Sequence, residues 1–170
     1  MTSEYSPATS SDSQEVFFEA FRRHAAGISI VTLCQPDGSP TGFTATSVSS
    51  LAADPPMVTL NMATTSSSWN AVENTDHLLI HILGAGNLSL AKKFADMKEV
   101  RFLGISVAEG PEGLPLLPGA SAYLVGKIID RVVHHSAATV IAEIIGGGLG
   151  GEDKGLTYQG RQYACAEPLS

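Results

Sequence analysis

Apolar positions in this chain recur mostly in short β-branched runs, and only three stretches carry the three-to-four-residue period of a helix. The first begins near Gln14. Val16, Phe17, Ala20, Phe21 and His24 fall on one face, Asp12 and Glu15 have the spacing of a capping box, and Arg22 and Arg23 suit the carboxyl end of a helix dipole. Gly27 is the stop. Residues 28–33 (ISIVTL) predict a buried strand, and Gln35-Pro36-Asp37-Gly38-Ser39-Pro40 is a turn, so 28–34 and 41–50 pair antiparallel. Asp54-Pro55-Pro56 halts that pairing before a strand over 56–63. Ser67 or Ser68 is placed to cap a helix over 67–73, and Asn87 caps another that runs to Phe94 and ends on Lys92 and Lys93. Further strands are predicted at 78–83, 123–133, 139–145, 156–158 and 162–165. Residues 96–120 carry no clear period, the Gly/Pro-rich 109–119 reads as loop, and the glycine run 146–151 as a flexible turn. Strands outnumber helices without a regular βαβ alternation or an internal repeat. The pattern is that of an antiparallel barrel with a few flanking helices.

A chain of 170 residues, 44% apolar, suits one domain over 14–170 that buries about two-thirds of its unfolded surface. The Ser/Thr-rich, apolar-poor residues 1–13 read as a disordered tail. A net charge of -7 argues against a nucleic-acid surface, which needs a basic stripe. No apolar run reaches the roughly 18–20 residues of a membrane span, and the start of the chain lacks the basic and apolar regions of a secretory signal. A cytoplasmic protein is expected, with Cys34 and Cys165 as reduced core thiols.

Most motifs that invite a chemical reading lack a necessary part. Gly84-Ala85-Gly86-Asn87-Leu88-Ser89 follows a strand and opens a helix, but the sixth position is Ser and no acid stands cleanly about 20 residues on, so an ordinary strand–turn–helix is the better reading. The run GGGLGG at 146–151 lacks the Lys-Ser/Thr of a phosphate loop. His77 and His81 share a strand face at roughly 13 Å, and His134 and His135 point to opposite faces of a regular strand, so neither pair has metal-ligand spacing. No GxSxG is present and neither cysteine neighbours a histidine.

The hydroxyl residues are a different matter. Thr44, Thr46, Ser47, Ser49 and Ser50 lie in one strand-like piece, and 64–68 (TTSSS) follow the next. A Ser/Thr-rich β-surface facing water is one reading. The other is a surface that donates short hydrogen bonds to a flat polar ring, with a phosphate tail at the helix N-terminus after 64–68 and Lys92 or Lys93 as basic anchor.

These residues also carry a family resemblance from about Phe18 to Cys165. Phe21 to Thr32 (FRRHAAGISIVT), Gly42 to Ser50 (GFTATSVSS) followed by Asp54-Pro55-Pro56, Leu90-Ala91-Lys92-Lys93-Phe94-Ala95, and Leu156 to Tyr163 (LTYQGRQY) are similar to motifs of the short flavin reductases of two-component monooxygenases, the FMN-binding split-barrel group. The resemblance implies an antiparallel split β-barrel, mainly β with flanking helices. It implies FMN or FAD as cofactor, NADH or NADPH as co-substrate, a homodimer, and a partner oxygenase that receives reduced flavin. By the same resemblance Thr44, Ala45, Thr46, Ser47 and Val48 hold the isoalloxazine and Asn61 meets it from the next strand. Ser66, Ser67, Ser68 and Lys93 hold the phosphate, and Phe94, Tyr158 and Arg161 complete the cofactor set. The family's Gly-Asp-His before its penultimate long strand is replaced here by Val133-His134-His135-Ser136-Ala137, with Ala137 in the histidine slot. His135 is the nicotinamide-side candidate if the loop is remodelled. The alternative is a non-catalytic flavin carrier or sensor of the same fold.

Overall fold

The structure, a computed structural model, describes residue 9 and residues 12–169. The expected tail over 1–13 therefore lies almost wholly outside the described residues. In chain order the elements are α1 (Ser13–Arg23), β1 (Ala26–Gly27), β2 (Ser29–Cys34), β3 (Pro40–Ala45), β4 (Ser49–Ala53), β5 (Pro56–Ala63), α2 (Trp69–Asn74), β6 (His77–Ile82) and α3 (Leu88–Ala95). They continue with β7 (Ala108–Glu109), β8 (Pro115–Leu116), β9 (Ala122–His134), β10 (Ala137–Leu149), β11 (Leu156–Gln159) and β12 (Gln162–Cys165).

Seven strands form one antiparallel sheet in the order β3-β2-β6-β9-β10-β5-β4. Its two edge strands, β3 and β4, are consecutive in the chain and separated by Thr46, Ser47 and Val48 alone. Four residue steps reach about 14 Å at most, far less than the width of seven flat strands at about 4.8 Å each, so the sheet must curl until its edges meet. The expected split barrel is the result. The predicted single strand over 42–50 is thus two strands with a break between them. Ser47 marks the crossing: its Oγ donates to the carbonyl of Asn61 and accepts from the Asn61 amide, both at 2.9 Å.

Side-chain alternation decides what each face meets. In β5, Val58, Leu60 and Met62 point inward while Asn61 and Ala63 are exposed. β2 is buried on both faces. Val31 and Leu33 enter the barrel core with Leu60, Leu79 and Val140, whereas Ile28 and Ile30 pack outside it with Leu83, Phe94 and Leu156 beneath α3 and the small sheet β1-β11-β12. The glycine run departs from its expected loop. β10 continues to Leu149, paired with β9 down to Leu149↔Ala122. Glycine is needed there for close approach: a Cβ on Gly147 would lie 2.4 Å from the Tyr123 carbonyl oxygen, and one on Gly148 would lie 2.6 Å from the Tyr123 ring. Cys34 is half-buried and Cys165 exposed, both free, so only Cys34 approaches the expected core position. Among the described residues no helix is long and apolar enough to cross a membrane.

Candidate functional site

A cavity of about 420 Å³ opens where the barrel edges meet, within the size range of small-molecule sites. Its walls come from the end of β3 with the following connection, the end of β5, and the end of α3 with the loop after it. Phe94, 1% exposed, forms the floor and packs edge-on against Phe102 at 5.0 Å between ring centroids. Gly42 lets the two layers close: a Cβ there would meet the Val31 carbonyl at 2.7 Å and the Phe94 ring at 3.0 Å.

Of the residues expected to bind a cofactor, Thr44, Ala45, Thr46, Ser47, Asn61, Ser66 and Phe94 all line this cavity. Their hydroxyls are not equally free. Thr44 Oγ1 donates to the Ala91 carbonyl at 2.9 Å, anchoring α3 to β3, and Ser47 is spent on Asn61. Thr46 is exposed. Asn61 accepts at Oδ1 from Thr139 Oγ1 at 2.7 Å, which leaves its side-chain NH2 as the group to present to a ligand. Ser66 Oγ accepts from the Ser68 amide at 3.3 Å, so that turn is preset by its own serine.

Arg101 is the cation of this cavity. Its Nη1 donates to the Gly42 carbonyl at 2.7 Å and lies 3.4 Å from Ser68 Oγ, and its Nε donates to the Asp96 carbonyl at 2.9 Å. Desolvation by burial lowers its pKa, while Glu99 and Asp96 pull the other way. A guanidinium in this position stays charged and points several donors at one end of the cavity. Sequence reasoning missed it because 96–120 shows no periodic pattern. The only available signal was an isolated Arg between Val100 and Phe102 in an acidic chain.

The remaining expected residues lie elsewhere. Lys93 Nζ donates to the Leu103 carbonyl, tying down the loop that carries Arg101. Ser67 is exposed outside the lining, Ser68 is buried behind it against Thr41 and Arg101, and Val48 packs on the barrel core. Tyr158 stacks edge-on with Tyr163 at 5.1 Å, and Arg161 sits at φ 64 in the β11–β12 turn; both face a separate groove beside α1. His135 occupies the β9–β10 turn at φ 52, fully in solvent. That turn reaches the site indirectly, since the Ser136 carbonyl accepts from the Thr64 amide at 2.9 Å and Ala137 pairs with Ala63 on the cavity rim.

His81 is the one fully buried histidine. Nδ1–H donates to the Ile30 carbonyl at 3.2 Å and Nε2 accepts from the Leu117 amide at 3.0 Å, an arrangement that requires the neutral ring. Burial lowers its pKa to about 4, against the opposing pull of the Ile30 carbonyl. No group of three or more His, Cys, Asp or Glu among the described residues could hold a metal ion.

Residues 21–167 match the model of the flavin reductase like domain. The chain belongs to that family. Among flavin reductase relatives, an "NADH:FMN oxidoreductase" of Rhodococcus qingshengii is 39% identical over 127 residues, which cover 74% of this chain and 65% of that protein. The chain thus spans just under two-thirds of that relative's length. The "4-nitrophenol 4-monooxygenase/4-nitrocatechol 2-monooxygenase, reductase component" of Rhodococcus opacus is 32% identical over 137 residues, covering 81% of this chain and 73% of the relative. The crystal structure of a flavin reductase domain protein from Arthrobacter sp. FB24 superposes with a TM-score of 0.88 at 43% identity, covering 92% of this chain and 98% of that one.

Proposed function

We propose that this chain is an NAD(P)H:flavin oxidoreductase, acting in the cytoplasm as a homodimer and passing reduced FMN or FAD to a partner monooxygenase. The observation that carries the reading is the donor set of the cavity: exposed strand-end backbone and Thr46 along one wall, the Asn61 amide on another, and the Arg101 guanidinium at one end. That is the complement of a flat heteroaromatic ring, rich in acceptors, with a phosphate on a polar tail. The names of the Rhodococcus relatives support the same reaction and the same kind of partner.

When bound, a flavin supplies the two-electron chemistry by accepting hydride from a nicotinamide. The chain's own residues have simpler tasks. The connection from Ala45 to Ser47 lies along the ring edge and Asn61 donates to it. Arg101 and Ser66 take the phosphate, with Lys93 holding the Arg101 loop in place. Phe94 keeps water from beneath. A fixed ring orientation is what lets a second ring stack at reacting distance.

One observation favours the carrier reading. Ala137, and not a histidine, stands beside Ala63 at the rim, and His135 projects into solvent. Turnover with each pairing of FMN or FAD with NADH or NADPH separates the two. The expected result is oxidation of at least one nicotinamide that depends on added flavin. Tight flavin binding with no oxidation of either nicotinamide would establish the carrier instead.

A further inference from the structure

Helix α1 is amphipathic, yet its apolar side has no cover. Val16, Phe17, Phe18 and Phe21 are between 53% and 61% exposed, and no residue of the helix is buried. Its attachment to the barrel runs through its carboxyl end, where the Gly160 amide donates to the Arg22 carbonyl at 2.8 Å and Gln159 Nε2 to the Arg23 carbonyl at 2.7 Å. The apolar stripe is already assembled: the Phe17 and Phe21 rings lie 4.7 Å apart, and Phe21 meets His24 at 6.0 Å. Beside it an open groove of about 1300 Å³ runs between the helix and the β11–β12 turn, with Tyr158 and Arg161 on the far wall. An exposed apolar stripe rimmed by charge marks an interaction surface.

We infer that α1 is the seam of a two-fold dimer, occupied by the α1 of a second copy laid antiparallel along the stripe and groove. Charge selects this occupant. Glu15 and Arg22 are seven residues apart, about two helical turns, and so share one flank of the stripe. Antiparallel helices bring equal flanks together, so Glu15 faces the partner's Arg22 at both ends of the seam while the helix dipoles oppose. A parallel pairing gives neither. Glu19 is already engaged within its own helix by Arg22 at 2.7 Å and Arg23 at 2.9 Å, which holds Arg22 in place along the flank. A single self-complementary patch is what a two-fold axis requires. Two eleven-residue helices alone fall short of the roughly 800 Å² per partner of a standard interface, and the groove wall supplies the additional surface. The inference stands apart from the flavin reading, because it uses none of the cavity residues.

Sedimentation of the full chain over a range of concentrations tests it. The parent should run at about twice its 17.7 kDa chain mass. Phe17→Glu and Phe21→Glu should give monomers with unchanged thermal unfolding, since α1 buries nothing in its own chain. Glu15→Arg or Arg22→Glu alone should raise the dimer dissociation constant about tenfold, and the two combined should restore it. A parent that is monomeric throughout, or whose α1 is covered only when another protein is added, overturns the proposal. So does a dimer indifferent to both phenylalanine variants, or singly charge-reversed variants that the double variant fails to rescue.

Discussion

Arg101 sits among three acceptors, the carbonyls of Gly42 and Asp96 and the hydroxyl of Ser68, while Lys93 reaches only the Leu103 carbonyl. If the guanidinium receives the flavin phosphate, Arg101→Gln removes a charge-assisted contact worth about 1.5–3 kcal/mol, so FMN affinity should fall roughly tenfold to a hundredfold. Riboflavin has no phosphate and should bind as before, and Lys93→Ala should cost FMN less than the arginine variant does. Fluorescence titrations with both flavins decide it; equal losses would mean that Arg101 shapes the cavity without touching phosphate. His81 yields a pH prediction. Its folded pKa, about 4, lies below the ordinary value near 6.5, so between these pH values the unfolded chain binds a proton that the native chain does not. The contribution is complete above pH 6.5 and is lost as pH falls toward 4, by on the order of 3 kcal/mol. Urea midpoints for the parent and His81→Gln, which keeps a donor and an acceptor, should converge in slope with pH for the variant and remain steep for the parent.

Among the elements, the β3–β4 connection separates hydroxyls that look alike in sequence. Thr46 is exposed on the cavity, and Ser47 satisfies both backbone groups of Asn61. Ser47→Ala should therefore lower stability by about 1–3 kcal/mol, whereas Thr46→Val should weaken flavin binding and leave the melting temperature in place. Thermal unfolding beside a flavin titration distinguishes them, and a reversal of the two phenotypes would exchange the roles. Strand positions were largely legible because a run such as Ile28 to Leu33 has one sensible conformation and its turn a fixed chemistry. The break at Thr46 was not, since an alternating stretch reads as continuous until its second half is seen to pair with a different neighbour. The glycine run misled for a related reason. Local sequence signals freedom there, and only the Tyr123 strand alongside explains why side chains are excluded.

At the scale of the molecule, the cavity was legible as a set of residue types and only partly as a place. Seven of the expected cofactor residues meet in it because the motif spanning Gly42 to Ser50 and the turn at Ser66 lie on the two sheet edges that the fold brings together. Tyr158 and Arg161 belong to a short sheet on another side, a separation no local pattern could reveal. The cavity also lies on the one line where the curled sheet lacks a continuous hydrogen-bond ladder. A molecule seated there acts as a clasp, joining strands that the chain itself fastens mainly through Ser47. Ligand present at a hundred times its dissociation constant adds about 2.7 kcal/mol to a native state that alone binds it. A reductase that surrenders its flavin after each turnover therefore passes part of every cycle unclasped, and its resistance to heat and proteolysis becomes a gauge of how much flavin the cell keeps free.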